Sequence, residues 1–173
     1  MSEGSGNSAA VSWQGGVVLD FTRSELFERT FEEGMELVEE TAAYLDGSGR
    51  QDSKALSRNG ALAYAAESMR LTTRLMQVAS WLLVQRAVRE GDMKPADACD
   101  DRYRIGGQEI SDNSSPEGLE ELPNGLTTLL GRSERLYDRI LHLDRRMYVD
   151  QTAEPEPHPV LSQMDRLAAA FGR

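Results

Sequence analysis

Chemistry in this chain would have to come from a short supply of reactive side chains: two histidines, His142 and His158, and one cysteine, Cys99, in 173 residues. His142 stands four residues after Asp138 and four before Arg146. On a helix that spacing sets a carboxylate and a guanidinium on either side of one imidazole, the arrangement a histidine phosphotransfer protein would use. The plainer reading is a surface histidine. The histidines, the cysteine and the carboxylates do not fall into metal-ligand spacing, and the chain has neither a glycine-rich phosphate loop nor a glycine–serine–glycine elbow. The sequence therefore predicts no catalytic residue, no cofactor site and no metal ligand. It describes a protein that acts by binding other proteins. Cys99 alone cannot form an internal disulfide and is read as a free thiol.

The elements that would carry such binding are helical. Leu, Ala, Met, Glu and Arg are plentiful, which favours helices over sheets, and the length fits one domain with modest core and extended ends. A formal net charge of -10 disfavours nucleic acid, because phosphates would repel the chain before any base contact helped. No apolar run is long enough to span a membrane, and no secretory signal pattern follows Met1. A cytoplasmic location is expected.

Residues 1–21 are rich in Gly, Ser and Ala and are expected to be flexible. A three-helix bundle is expected over residues 22–148, with helices at about 22–45, 53–90 and 124–148 and an acidic loop at 91–121. Thr22 with Glu25 reads as a capping box, and Phe21 on Leu26 as a hydrophobic staple. Phe27, Phe31, Met35, Val38, Ala42 and Leu45 form one stripe of the first helix, and Leu122, Leu126, Leu129, Ser133, Leu136, Ile140, Leu143 and Met147 one of the third. The first helix bears Glu28, Glu32, Glu33, Glu36, Glu39 and Glu40; the third bears Arg132, Arg135, Arg139, Arg145 and Arg146. Opposite signs predict antiparallel neighbours, as a hint of register more than a source of stability. The segment from Arg89 to Glu121 holds ten acidic and four basic residues, a net -6.

The second helix sets the oligomer question. Leu62, Ala66, Met69, Thr73, Met76, Leu83 and Ala87 share one face, while Leu71, Leu75, Val78 and Leu82 lie nearly opposite. Only Glu67, Arg70, Arg74, Gln77 and Gln85 remain as a polar strip. A surface helix needs an apolar stripe of only a little over ~100°, so this rod predicts a second copy packed against it, that is, a homodimer. Trp81 continues the polar strip. With Arg70, Arg74 and Gln77 it has the composition of a partner-binding patch, although burial in the core explains a tryptophan equally well. After Tyr148, residues 149–173 make a proline-punctuated linker and a short peptide. There Leu161, Met164, Leu167 and Phe171 recur at helical spacing, as a docking peptide would require.

The segments EGMELVEETAAYLDGSGR (33–50), SMRLTTRLMQVASWLLVQRAVREG (68–91), LP (122–123) and SERLYDRILHLD (133–144) resemble the regulator of CtrA degradation family of alphaproteobacteria. The match runs through most of residues 24–148, and its second segment is the most distinctive. The resemblance implies a dimeric three-helix bundle that serves the ClpXP protease as an adaptor. It implies recruitment once the response regulator CpdR has primed the protease, and delivery of cell-cycle substrates such as CtrA. Two other readings remain open from the residues: histidine phosphotransfer through His142, and a purely structural oligomerisation module.

Overall fold

In the computed structural model, residues 16–106 and 117–148 are described. Among them the chain is a helical bundle without strands: α1 over residues 16–22, α2 (Glu25–Asp46), α3 (Ser48–Ser53), α4 (Arg58–Glu90), α5 (Pro95–Ala98) and α6 (Asn124–Tyr148). Short 3₁₀ turns at Asp101–Tyr103 and Leu119–Glu121 lie on the return path between α4 and α6.

The N-terminal side of the bundle departs from expectation. Residues 16–22 are helical, and Val18 and Thr22 are fully buried. Phe21 packs edge-on against Phe27 at 5.7 Å and tilted against Trp81 at 6.0 Å, so this turn closes one end of the core. Thr22 does not cap α2. Its hydroxyl donates to the Leu19 carbonyl, and Ser24 takes the cap, its Oγ accepting from the Phe27 N–H at 3.2 Å. Leu26 stays half exposed, so the expected staple does not form.

The second helix starts later than expected. Ser57 caps α4 by accepting from the Gly60 N–H, and the Glu121 carboxylate clasps the same residue through its N–H and its hydroxyl. Those two bonds hold the Glu121 carboxyl below the usual range. Gly118 makes the junction possible: its φ is +87°, and a Cβ there would stand 2.5 Å from the Asn59 carbonyl oxygen, a clash with backbone that cannot swing away. At the other end Gly91, at φ +84°, stops α4 in the left-handed conformation.

Residue pairs fix the directions. Glu33 pairs with Arg139 and Glu40 with Arg132, so α2 and α6 run antiparallel, as their opposite charges predicted. Arg89 reaches Glu28 at the far end, which makes α2 and α4 antiparallel too. Between α4 and α6 the contacts advance together, Arg74 to Ser133 and Gln85 to Tyr148, so these two helices run parallel. The 32-position separation between Gly91 and Pro123 in the chain carries it back to the starting end. Among the fully buried residues at the centre are Phe27, Leu37, Leu71, Val78, Leu82, Leu126, Leu136 and Ile140. Each such aliphatic or aromatic side chain contributes about 1.5–3 kcal/mol by leaving water.

The polar strip of α4 faces this core, opposite to where hydropathy alone would turn it. Arg74 donates to the Ser133 hydroxyl at 3.0 Å and pairs with Glu134 at 3.4 Å. The Trp81 indole donates to Asp144 Oδ1 at 3.0 Å, and the Gln85 amide donates to the Tyr148 phenol at 3.1 Å. Glu67 is buried and pairs with Arg70 at 3.3 Å. A buried polar group is tolerable when it is bonded, and this ladder bonds Arg74, Trp81 and Gln85 to α6 in one register.

Tyr148 makes the ladder pH-sensitive in a stated direction. Burial pushes its phenol up to about 12, against a smaller downward pull from the Gln85 bond. The neutral phenol is therefore the folded form. Its contribution is complete below the unfolded value of 10.0 and is lost as pH rises toward 12, up to about 2–3 kcal/mol. Tyr44, also pushed up to about 12, chiefly by burial, adds to the same window. Urea unfolding between pH 9 and 12 should show a falling stability that is shallower in a Tyr148→Phe protein; equal slopes would refute the assignment.

Candidate protein-binding surface

With its polar strip turned inward, α4 presents an apolar face outward. Leu62, Met69, Met76 and Leu83 are 63, 72, 65 and 53% exposed and recur every seven residues. Ala66, Thr73, Ser80 and Ala87 stand four residues after each, so large and small side chains alternate along one seam. A seven-residue repeat of this kind suits another helix laid along it, and the small positions let the second backbone come close. Methionine is well adapted to such a surface, because its flexible thioether moulds to more than one partner.

Beside the middle of the seam lies a groove of about 720 Å³. Thr73, Met76 and Ser80 form one wall, Tyr103 to Gly106 the other, and Trp81 and Val84 contribute to its lining. The second wall is a strap on the return path, anchored by Arg104. Its guanidinium makes bonds of 2.7–2.9 Å to both carboxylate oxygens of Asp144 and stacks on the Tyr148 ring at 4.6 Å. Burial works to lower the Arg104 pKa, but Asp144 outweighs it and the net shift is upward. Cys99 packs nearby and donates to the Pro95 carbonyl; burial pushes its thiol up, against a smaller downward pull from Arg104.

The residues expected from sequence to bind partners separate under this geometry. Trp81 is 2% exposed and Arg74 is 8% exposed, so neither offers a surface in this conformation, and the expected polar patch is corrected to a buried ladder. The reason is that α6 supplies a partner for each group. Arg70 and Gln77 are half-buried at the ladder's edge, Gln77 also lining the groove. Leu161, Met164, Leu167 and Phe171 lie outside the described residues. His142 is exposed on the outer side of α6, with Asp138 and Arg146 also exposed. The seam residues were visible as one face of the second helix, but the seven-residue recurrence of Leu62, Met69, Met76 and Leu83 is the signal that singles them out as one exposed row.

Among the described residues no group of three or more His, Cys, Asp or Glu could hold a metal ion. No described helix is long and apolar enough to cross a membrane.

A family profile described as a protein of unknown function, DUF1465, matches residues 18–171. A crystal structure of RcdA from Caulobacter crescentus CB15 is 68% identical, with 76% of this chain and 98% of that one covered and a TM-score of 0.63. No curated protein matches.

Proposed function

This chain belongs to the DUF1465 family, the RcdA-like family, and from that premise we propose that it regulates CtrA degradation as a non-enzymatic adaptor of the ClpXP protease. The observation that carries the reading is the outward seam of α4: four large apolar side chains in a row on the outer face of the bundle. Such a surface is a place for protein to sit. Adaptor action needs binding energy at two surfaces and no chemistry, because holding protease and substrate together turns a rare encounter into an intramolecular one. In this reading ClpXP is first primed by CpdR, the protein works in the cytoplasm, and two copies pair through α4.

Reconstituted degradation tests it. With ClpXP, CpdR and CtrA present, adding the protein should shorten the CtrA half-life several-fold; equal half-lives with and without it would refute the adaptor. Removing residues 154–173 should weaken delivery, whereas a purely structural module would be indifferent. A His142→Gln protein should deliver as well as the unaltered one, whereas loss of delivery would favour phosphotransfer.

A further inference from the structure

Among the described residues nothing covers the Met69–Leu83 stretch of the seam. We propose that the C-terminal peptide, residues 160–171, docks in cis on the Met69–Leu83 stretch of α4 and shields it until a partner helix takes its place. The proposal goes beyond the adaptor reading and does not require it.

Position and length argue for this occupant. The described chain ends at Tyr148, whose phenol is bonded to Gln85, two residues beyond Leu83. The peptide therefore leaves from the Leu83 end of the seam, but from the opposite side of α4, because Gln85 faces the core. Passing round a helix of ~10–12 Å diameter takes roughly 16–20 Å. Residues 149–159 contain three prolines and, at ~3.1 Å each, span about 34 Å, which suffices with slack. As a helix the peptide is about 18 Å long, against about 21 Å from Met69 to Leu83.

The pattern also fits. Leu161, Met164, Ala168 and Phe171 follow the three-four alternation that pairs with a seven-residue seam, and Leu167 flanks it. The large side chains of the peptide face the small positions Thr73 and Ser80. The groove between Met76 and the strap gives one of them a walled seat, which suits a short peptide better than a long, straight helix. Tethering sets the competition. A linker of this size gives an effective concentration of about millimolar, so a peptide with only ~0.1 mM intrinsic affinity would cover the seam ~10-fold more often than not. Both protomers must clear their seams to pair, and the apparent dissociation constant of a two-fold pair rises accordingly, ~100-fold.

Methionine methyl resonances of the full chain read this directly, since Met69 and Met76 lie in the seam and Met164 in the peptide. The unaltered protein is compared with Leu161→Asp/Phe171→Asp at a dilution where both sediment as single 19.2 kDa chains. The Met69 and Met76 methyls should shift between the two, with Met147 unmoved, and the Met164 methyl should show proximity to them in the unaltered protein only. Adding the 160–171 peptide in millimolar excess should restore the shifts, and self-association of the substituted chain should tighten ~100-fold. Identical seam methyls in the two monomers would overturn the proposal. So would seam shifts that follow concentration alone, which assign the face to a second copy. If the unaltered chain stays paired at every dilution and the substituted one pairs no more tightly, it is likewise overturned. None of these outcomes depends on CtrA turnover, so the adaptor reading and this one fail separately.

Discussion

Replacing Asp144 by alanine should remove about 3–5 kcal/mol of stability, and lower the melting temperature by roughly 6–20 °C. Asp144 is 1% exposed and accepts four bonds at once: one from the Trp81 indole and three from Arg104, whose Nε reaches both carboxylate oxygens and whose Nη2 reaches Oδ2. Truncation leaves an indole N–H without its acceptor and a guanidinium, 18% exposed, without its counter-charge. The cost is dominated by those stranded groups and not by the net worth of the bonds, because the intact network already spends much of its attraction on desolvation. Asp144→Asn keeps an oxygen for Trp81 and loses the charge for Arg104, so it should fall between. Denaturant unfolding followed by near-ultraviolet circular dichroism of Trp81 checks the series. A loss below about 1 kcal/mol for the alanine protein would mean that the network is effectively hydrated. The strap bearing Tyr103 to Gly106 hangs on the same carboxylate, so the groove wall should loosen along with the core.

That network also explains why the rotation of α4 was hard to read from residues. Hydropathy treats Glu67, Arg74 and Gln85 as solvent-facing, which holds only while no partner is in reach. For Arg74, Trp81 and Gln85 those partners are Ser133, Asp144 and Tyr148 of α6, about 60 positions away in the chain, whereas Glu67 pairs with Arg70 on its own helix. Ser133 and Tyr148 look unremarkable in isolation. By contrast α6 itself, with one clean apolar stripe, and its pairing against α2, through Arg132 and Arg139, were legible because they depend on short-range spacing and on gross charge. α1 was missed because two valines and a phenylalanine in a glycine-rich lead have no helical signature; only the site beside Phe27 and Trp81 makes them core. Both apolar faces of the second helix were visible, and among the described residues one of them stays exposed at Leu62, Met69, Met76 and Leu83. Which face would be left over depended on α6. The patch expected at Arg74 and Trp81 therefore lies inside, and the large side chains left outside on this helix are Leu62, Met69, Met76 and Leu83.

If that row is where copies meet, Met69→Glu/Met76→Glu should separate association from folding. Both methionines are exposed in the protomer, so the substitutions should change its unfolding free energy by no more than about 0.5 kcal/mol each. In a two-fold pair the same changes bring four carboxylates into one apolar seam. An uncompensated charge buried at an interface costs several kcal/mol, so association should weaken at least ~100-fold, a change equivalent to about 2.7 kcal/mol. Sedimentation equilibrium read beside thermal unfolding distinguishes the two effects. Unchanged association would move the contact to another face; a large fall in melting temperature would mean that the two side chains are core after all. The contrast with Asp144 is then physical and not a matter of degree. A polar residue inside, held by Trp81 and Arg104, specifies how the bundle closes, whereas the apolar residues outside contribute little to that closure and are free to specify what it closes upon.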